Sequence, residues 1–201
     1  MLSGATTLTS TGGGNITANN AGNNFGGNLM LSTSGAARIA SSTGLTLGAS
    51  SVGTLTLNTT SAATQSAPIT ATNLVLLGSG GSYTLNDPGN LIGTVVANTG
   101  SVNLTSNGAV TIGAVGGVTG WTTTDNSTLT ASGGASDITV SNAVNWSNSS
   151  LTLVASRNIA INATMSGGAA GDLTALANRN LTIGAAGLIS GKTIALSASG
   201  A

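Results

Sequence analysis

The sequence predicts an all-β fold, a parallel β-helix with about 22 residues per coil and three short strands per coil. Three observations lead there. Apolar residues recur at i and i+2, as in LTL at 45–47, 55–57 and 151–153, so alternate side chains point to one face of an extended chain. The triplets return at a fixed interval: Leu129, Leu151, Leu173 and Ile194 are separated by 22, 22 and 21 residues. Gly, Asn and Ser fill the gaps between them, as in SGG at 132–134 and 166–168, where a turning backbone needs those residues.

Two further series interleave with the first. Ile138, Ile159 and Leu181 form one, and Val144, Met165 and Leu188 form the other. Three series on one period mean three strands per coil, with Leu151 stacked on Leu173 and Ile159 on Leu181. Inward residues then form apolar columns, while Thr152, Ala160, Thr174, Thr182 and Ala195 face outward. A helical reading fails, because glycine recurs every few residues and each costs about 1 kcal/mol in a helix interior. About nine coils at a strand spacing of ~4.8 Å make a rod of ~45 Å.

The repeat carries a polar mark. RNIAINA at 157–163 returns as RNLTIGA at 179–185, and Asp137, Asn158 and Asn180 each precede the Ile138, Ile159, Leu181 series by one residue. These three are expected to stack as an Asx ladder at one corner. Arg157 and Arg179 are expected beside it as two solvated surface arginines. Coils are most regular over residues 125–200. Upstream of about 120 the triplets persist but their spacing wanders, which loops of variable length at the corners would produce. YTLNDPGN at 83–90 reads as one such loop, punctuated by Pro88–Gly89. Residues 1–201 read as a single solenoid segment, with neither linker nor second domain.

Composition narrows the chemistry. Of 201 residues 4 % are charged and the net charge is zero, against roughly 25 % charged in ordinary domains. Nothing here attracts nucleic acid or an anionic membrane. His, Cys and Glu are absent, so a nucleophilic triad or an ordinary metal site is not expected. The acids Asp87, Asp125, Asp137 and Asp172 lie 38, 12 and 35 residues apart, and none of these intervals places two on consecutive coils. We therefore expect no enzyme and no catalytic, cofactor-binding or metal-binding residues. Calcium-binding Gly-Asp arrays are missing as well.

Eight Asn-x-Ser/Thr sequons begin at Asn15, Asn58, Asn103, Asn126, Asn145, Asn148, Asn162 and Asn180, a number that this Ser/Thr-rich composition gives by chance. The aromatic residues able to stack on sugars are Phe25, Tyr83, Trp121 and Trp146. Both Trp are expected at corners and partly buried. TLT at 7–9, 54–56 and 128–130 and TTT at 122–124 raise the alternative of a flat, ice-binding threonine face, but their intervals do not fit the period.

The stretch ITATNLVL, GSVNLTSNG and VTIGAVGG within residues 68–120, followed by SLTLVASRNIAINATMSGGAAGDLTALANRNLTIGAAGLIS, resembles the passenger repeats of filamentous haemagglutinin-type exoproteins. These are bacterial adhesins exported by two-partner secretion. The resemblance implies a right-handed β-helical shaft, outside the cell or at the bacterial surface, that mediates adhesion. It also implies that the region recognising host-cell or surface glycans and proteins lies beyond this segment, and that the segment is part of a longer passenger. No NPNL motif or export signal occurs in the chain. A biofilm or matrix fibre built by end-to-end self-association is the second expectation.

Overall fold

The structure, a computed structural model that describes residues 4–200, is a parallel β-solenoid of about nine turns. Every strand pairing in its main sheet is parallel, and each strand pairs with its counterpart one coil away. Such a coil has no local partner, so its backbone groups and apolar face are both satisfied by neighbouring coils.

The coils have three faces. Face A runs from Thr6–Thr9 through Leu45–Leu47 and Ala62–Gln65 to Ser127–Ala131, Ser150–Ala155, Asp172–Ala177 and Thr193–Ala198. Face B includes Val110–Ile112, Ile138–Val140, Asn158–Ile161 and Asn180–Ile183; face C includes Trp121–Thr123, Val144–Trp146, Met165–Ser166 and Ile189–Ser190. Three short strands per coil therefore hold from Trp121 onward. Upstream the expectation needs correction. There the corners stay extended, and Asn28–Ser41, Ser50–Thr59, Ile69–Leu85 and Leu91–Ser106 each run through more than one face.

Apolar columns fill the interior. On face B, Ile16, Ala37, Leu55, Leu74, Val95, Ile112, Val140, Ile161 and Ile183 stack in order. On face C the column is Ala18, Ile39, Leu57, Leu76, Ala97, Trp121, Val144, Met165 and Ile189. Almost all of these are fully buried, at roughly 1.5–3 kcal/mol for each large aliphatic side chain. In the last described coil, Ile183, Ile194 and Leu196 keep their inward positions but are 48, 40 and 39 % exposed, because no coil lies over them.

Leu151 stacks on Leu173, Leu173 on Ile194, and Ile159 on Leu181, as the period predicts. Two assignments shift by a short step. Leu129 stacks on Leu153, and Leu151 stacks on Ser127. Met165 stacks on Ile189, leaving Leu188 at the surface, 65 % exposed. The first shift follows from the corner between Ala131 and Ile138, three residues longer than the corner between Ala155 and Ile159 in the next coil; at the corner after Trp146, Asn148 adopts φ 57°, the only non-glycine positive φ among the described residues. Asn tolerates that left-handed conformation better than most residues.

One segment leaves the solenoid. Ala114–Val115 and Val118–Thr119 form an antiparallel hairpin, closed by Gly116 and Gly117 at φ 57° and 89°. Two positive-φ residues make the tight turn whose twist matches paired strands. The hairpin packs over the long strands Ile69–Leu85 and Leu91–Ser106. Beneath it Val75 and Val96 alternate with the inward Leu74, Leu76 and Val95, so they point outward, yet they are 4 and 0 % exposed.

Candidate functional site

The outer surface is built from rows of side chains, one per coil. On face A the row is Thr46, Thr64, Thr84, Asn103, Thr128, Thr152, Thr174 and Ala195. On face B it is Thr54, Asn73, Thr94, Thr111, Thr139, Ala160 and Thr182. Neighbours in a row reach each other. Thr46 Oγ1 lies 3.2 Å from Thr64 Oγ1, and Asn73 donates to Thr54 Oγ1 at 3.1 Å. Parallel strands ~4.8 Å apart set the interval along each row.

These rows qualify the threonine expectation. The TLT motifs fall on different faces, but single threonines align across coils because unequal loops absorb the unequal intervals. A second rank beside the face A row does not form: Thr105 and Thr130 are followed by Val154, Leu176 and Ser197. Where faces A and B meet, Ser10, Ser32, Ser34, Ser51, Thr70 and Thr72 line an open groove of about 420 Å³. Gly53 keeps its floor low, since a Cβ there would come 2.2 Å from Ser34 O.

The Asx ladder is present. Asn158 stacks on Asn180, and Asn180 Nδ2 donates to Asn158 Oδ1 at 3.0 Å. Asp137 Oδ1 accepts from both the backbone N–H and Nδ2 of Asn158, at 3.0 and 2.9 Å. The expectation of two solvated arginines is corrected for Arg157. Its Nε donates to Asp137 Oδ1 at 2.8 Å and its Nη2 to Oδ2 at 2.5 Å, a bidentate pair between successive coils. The Arg157 hydrogen bonds, ahead of those from Asn158, hold the Asp137 carboxyl below the usual carboxylate range. Arg179 stacks beyond Arg157 through its backbone, 2.7 Å from N to O, and its side chain is exposed.

The aromatic residues are not at the surface. Trp121 and Trp146 are fully buried, so the expectation of part-buried corner residues is corrected, and Phe25 and Tyr83 are buried too. Trp121 stacks on Val144 and Trp146 on Thr123. Trp146 occupies a corner column that carries Ser41, Thr59, Gly78, Thr99 and Thr123 in earlier coils. Gly167 makes room for the ring, because a Cβ there would lie 2.7 Å from Trp146 Cε2. No aromatic face is left for stacking on a sugar among the described residues.

Tyr83 braces its corner from within. Its hydroxyl donates to Leu57 O at 3.1 Å and Leu77 O at 2.5 Å, and accepts from Thr59 N at 3.2 Å. Burial pushes its phenol up to about 12, against partial relief from these backbone groups. Deprotonation is thus easier unfolded than folded. The stability is intact below pH ~10 and is lost as pH rises through the folded value, a difference of about 2–3 kcal/mol. As the chain has one Tyr, a phenolate absorbance titration reads it alone: the native protein should titrate together with alkaline unfolding, and a reversible step near 10 would contradict the burial.

Among the described residues no three His, Cys, Asp or Glu side chains gather to hold a metal. Asp137 is engaged by Arg157. Sequence reasoning missed Asn90, which is fully buried and bonded to Gln65, Ile69, Leu85 and Thr105. It also missed the hairpin, although Gly-Gly between AV and VT is a hairpin signal.

Residues 1–32 and 34–99, just under half of the chain, match a family described as Repeats of unknown function (DUF5649). The chain is similar to those repeats over its first half, the part where its own period is least regular. No curated protein and no solved structure matches it.

Proposed function

We propose that the chain is a non-enzymatic structural shaft of a secreted bacterial surface adhesin of the filamentous haemagglutinin kind, working outside the cell. One observation carries the reading: about nine coils stack into a rigid rod whose lateral rows are Thr, Ser and Asn and almost free of charge. Such a rod sets distance. It holds whatever region lies beyond it away from the cell, and its hydroxyl rows offer weak, spread-out contacts to glycans or proteins. Burial of all four aromatics favours a supporting role over a sugar-binding one along the described faces.

A self-assembling matrix fibre is the second reading, favoured by the parallel ladder itself, which joins like coil to like coil and repeats along the rod. Beads coated with the protein, tested for retention on cells and glycan arrays, separate the two readings when the same preparation is viewed by electron microscopy. Retention by dispersed rods supports the adhesin. Long fibres without retention support the matrix protein. Turnover of an oligosaccharide would overturn both.

A further inference from the structure

The hairpin does more than cover valines. Between it and the solenoid wall lies a niche of about 160 Å³ lined by Arg38, Thr54, Thr56, Val75, Leu77, Val115, Gly116 and Val118. Arg38, Thr56 and Val75 belong to one outward row, on successive coils, and Thr54 stands beside Thr56 on face B. The hairpin supplies the opposite wall through Val115 and Val118. One end of the niche is therefore a guanidinium flanked by hydroxyls, and the rest is apolar.

Three features make this a receiving site rather than a surface crease. Arg38 is one of four basic residues in the chain, yet the only ion pair among the described residues is Arg157–Asp137, so its charge is uncompensated there. The hairpin wall is held in place by its own ladder and by the burial of Val75 and Val96, so the niche is preformed. Its lining is mostly apolar, which rejects a fully hydrated anion such as phosphate and favours a ligand with an apolar body. A guanidinium fork matches a carboxylate with two parallel donors.

We infer that this niche binds a carboxylate carried on a small branched apolar body. A free short-chain organic acid and the C-terminus of a peptide ending in Val or Leu share that chemistry. The carboxylate sits on Arg38 with Thr54 and Thr56 beside it, and the branched body lies between Val75, Val115 and Val118. This site is independent of the shaft reading, and either stands if the other fails.

Isovalerate, its amide isovaleramide, and acetyl-Gly-Gly-Val are titrated into the ¹⁵N-labelled protein, with amide shifts followed at Arg38, Thr56 and Val115–Val118. Isovalerate should shift these residues saturably in the millimolar range, as expected for one charged contact and a small body. Isovaleramide should bind about tenfold or more weakly, as should isovalerate to Arg38→Gln. Arg38 is exposed, so the variant should fold, and its amide spectrum checks that. A second variant, Val118→Ser, should weaken isovalerate but leave acetate unchanged. Binding by the peptide at least as tight as that of isovalerate identifies a chain terminus as the natural source, and weaker binding identifies a free acid. Equal binding of acid and amide, unchanged binding to Arg38→Gln, or no saturable shift at these residues would overturn the site.

Discussion

Replacing Trp146 by Ala should cost about 3–5 kcal/mol, the range for removing a fully buried large aromatic side chain. The ring is fully buried in the corner column above Thr123 and fits against Gly167. Its indole nitrogen has no hydrogen-bond partner, so the value of the residue is volume, and Trp146→Phe should lose much less. The partner change tests the fit from the other side. Gly167→Val puts carbon where the ring stands and should cost about 1–3 kcal/mol or more. In the Trp146→Ala background that penalty should shrink, giving a coupling of about 0.5–3 kcal/mol in a double-mutant cycle. Denaturant unfolding followed by far-UV circular dichroism measures all four proteins. Additive effects would mean that ring and glycine do not share the space.

Asn90→Ala should cost about 3–5 kcal/mol, although it removes no apolar surface. Asn90 closes the Asp87–Asn90 turn and turns its amide into the interior. Oδ1 accepts from Ile69 N at 2.8 Å and Gln65 Nε2 at 2.9 Å. Nδ2 donates to Gln65 Oε1, Leu85 O and Thr105 O at 3.0, 3.0 and 3.1 Å. One side chain thus ties four segments across three coils. Alanine leaves their backbone groups in a place water reaches poorly, and the full desolvation penalty falls on each. Asn90→Asp should fare no better, since it loses both donors. Gln65→Ala should be milder, because the backbone partners of Asn90 remain. Chemical denaturation of the three variants ranks them, and a loss below about 1 kcal/mol for Asn90→Ala would mean the turn closes by other means.

The stacking of Leu151, Leu173 and Ile194 was legible because over 125–200 the coils differ little in loop length. Two errors there have one cause. A slip of two residues keeps every side chain on the same face, so Leu151 and Leu153 are equally good partners for Leu129 by pattern alone. Only corner length separates them, above all at the corner between Ala131 and Ile138, three residues longer than that between Ala155 and Ile159, and alternation carries no record of corner length. Upstream, the interval along face B swings from 17 residues (Val95 to Ile112) to 28 (Ile112 to Val140), the longer one swollen by the hairpin. The period blurs while the columns continue. The ladder at Asp137, Asn158 and Asn180 was legible, but the Arg157 pair was not, because a contact between neighbouring rows follows from handed corner geometry. Asn90 was missed and Trp146 misjudged for a shared reason: residue type says little about inside or outside at a corner, where alternation breaks.

All ladder hydrogen bonds between coils point along the rod. Tension applied through the two chain ends therefore loads them one coil at a time, as in opening a zipper, and does not shear many at once. Each coil that peels away releases roughly 21 residues, up to ~75 Å of slack at ~3.3–3.6 Å per residue. A tether made this way yields by paying out length stepwise while the coils behind the peeling front keep their packing.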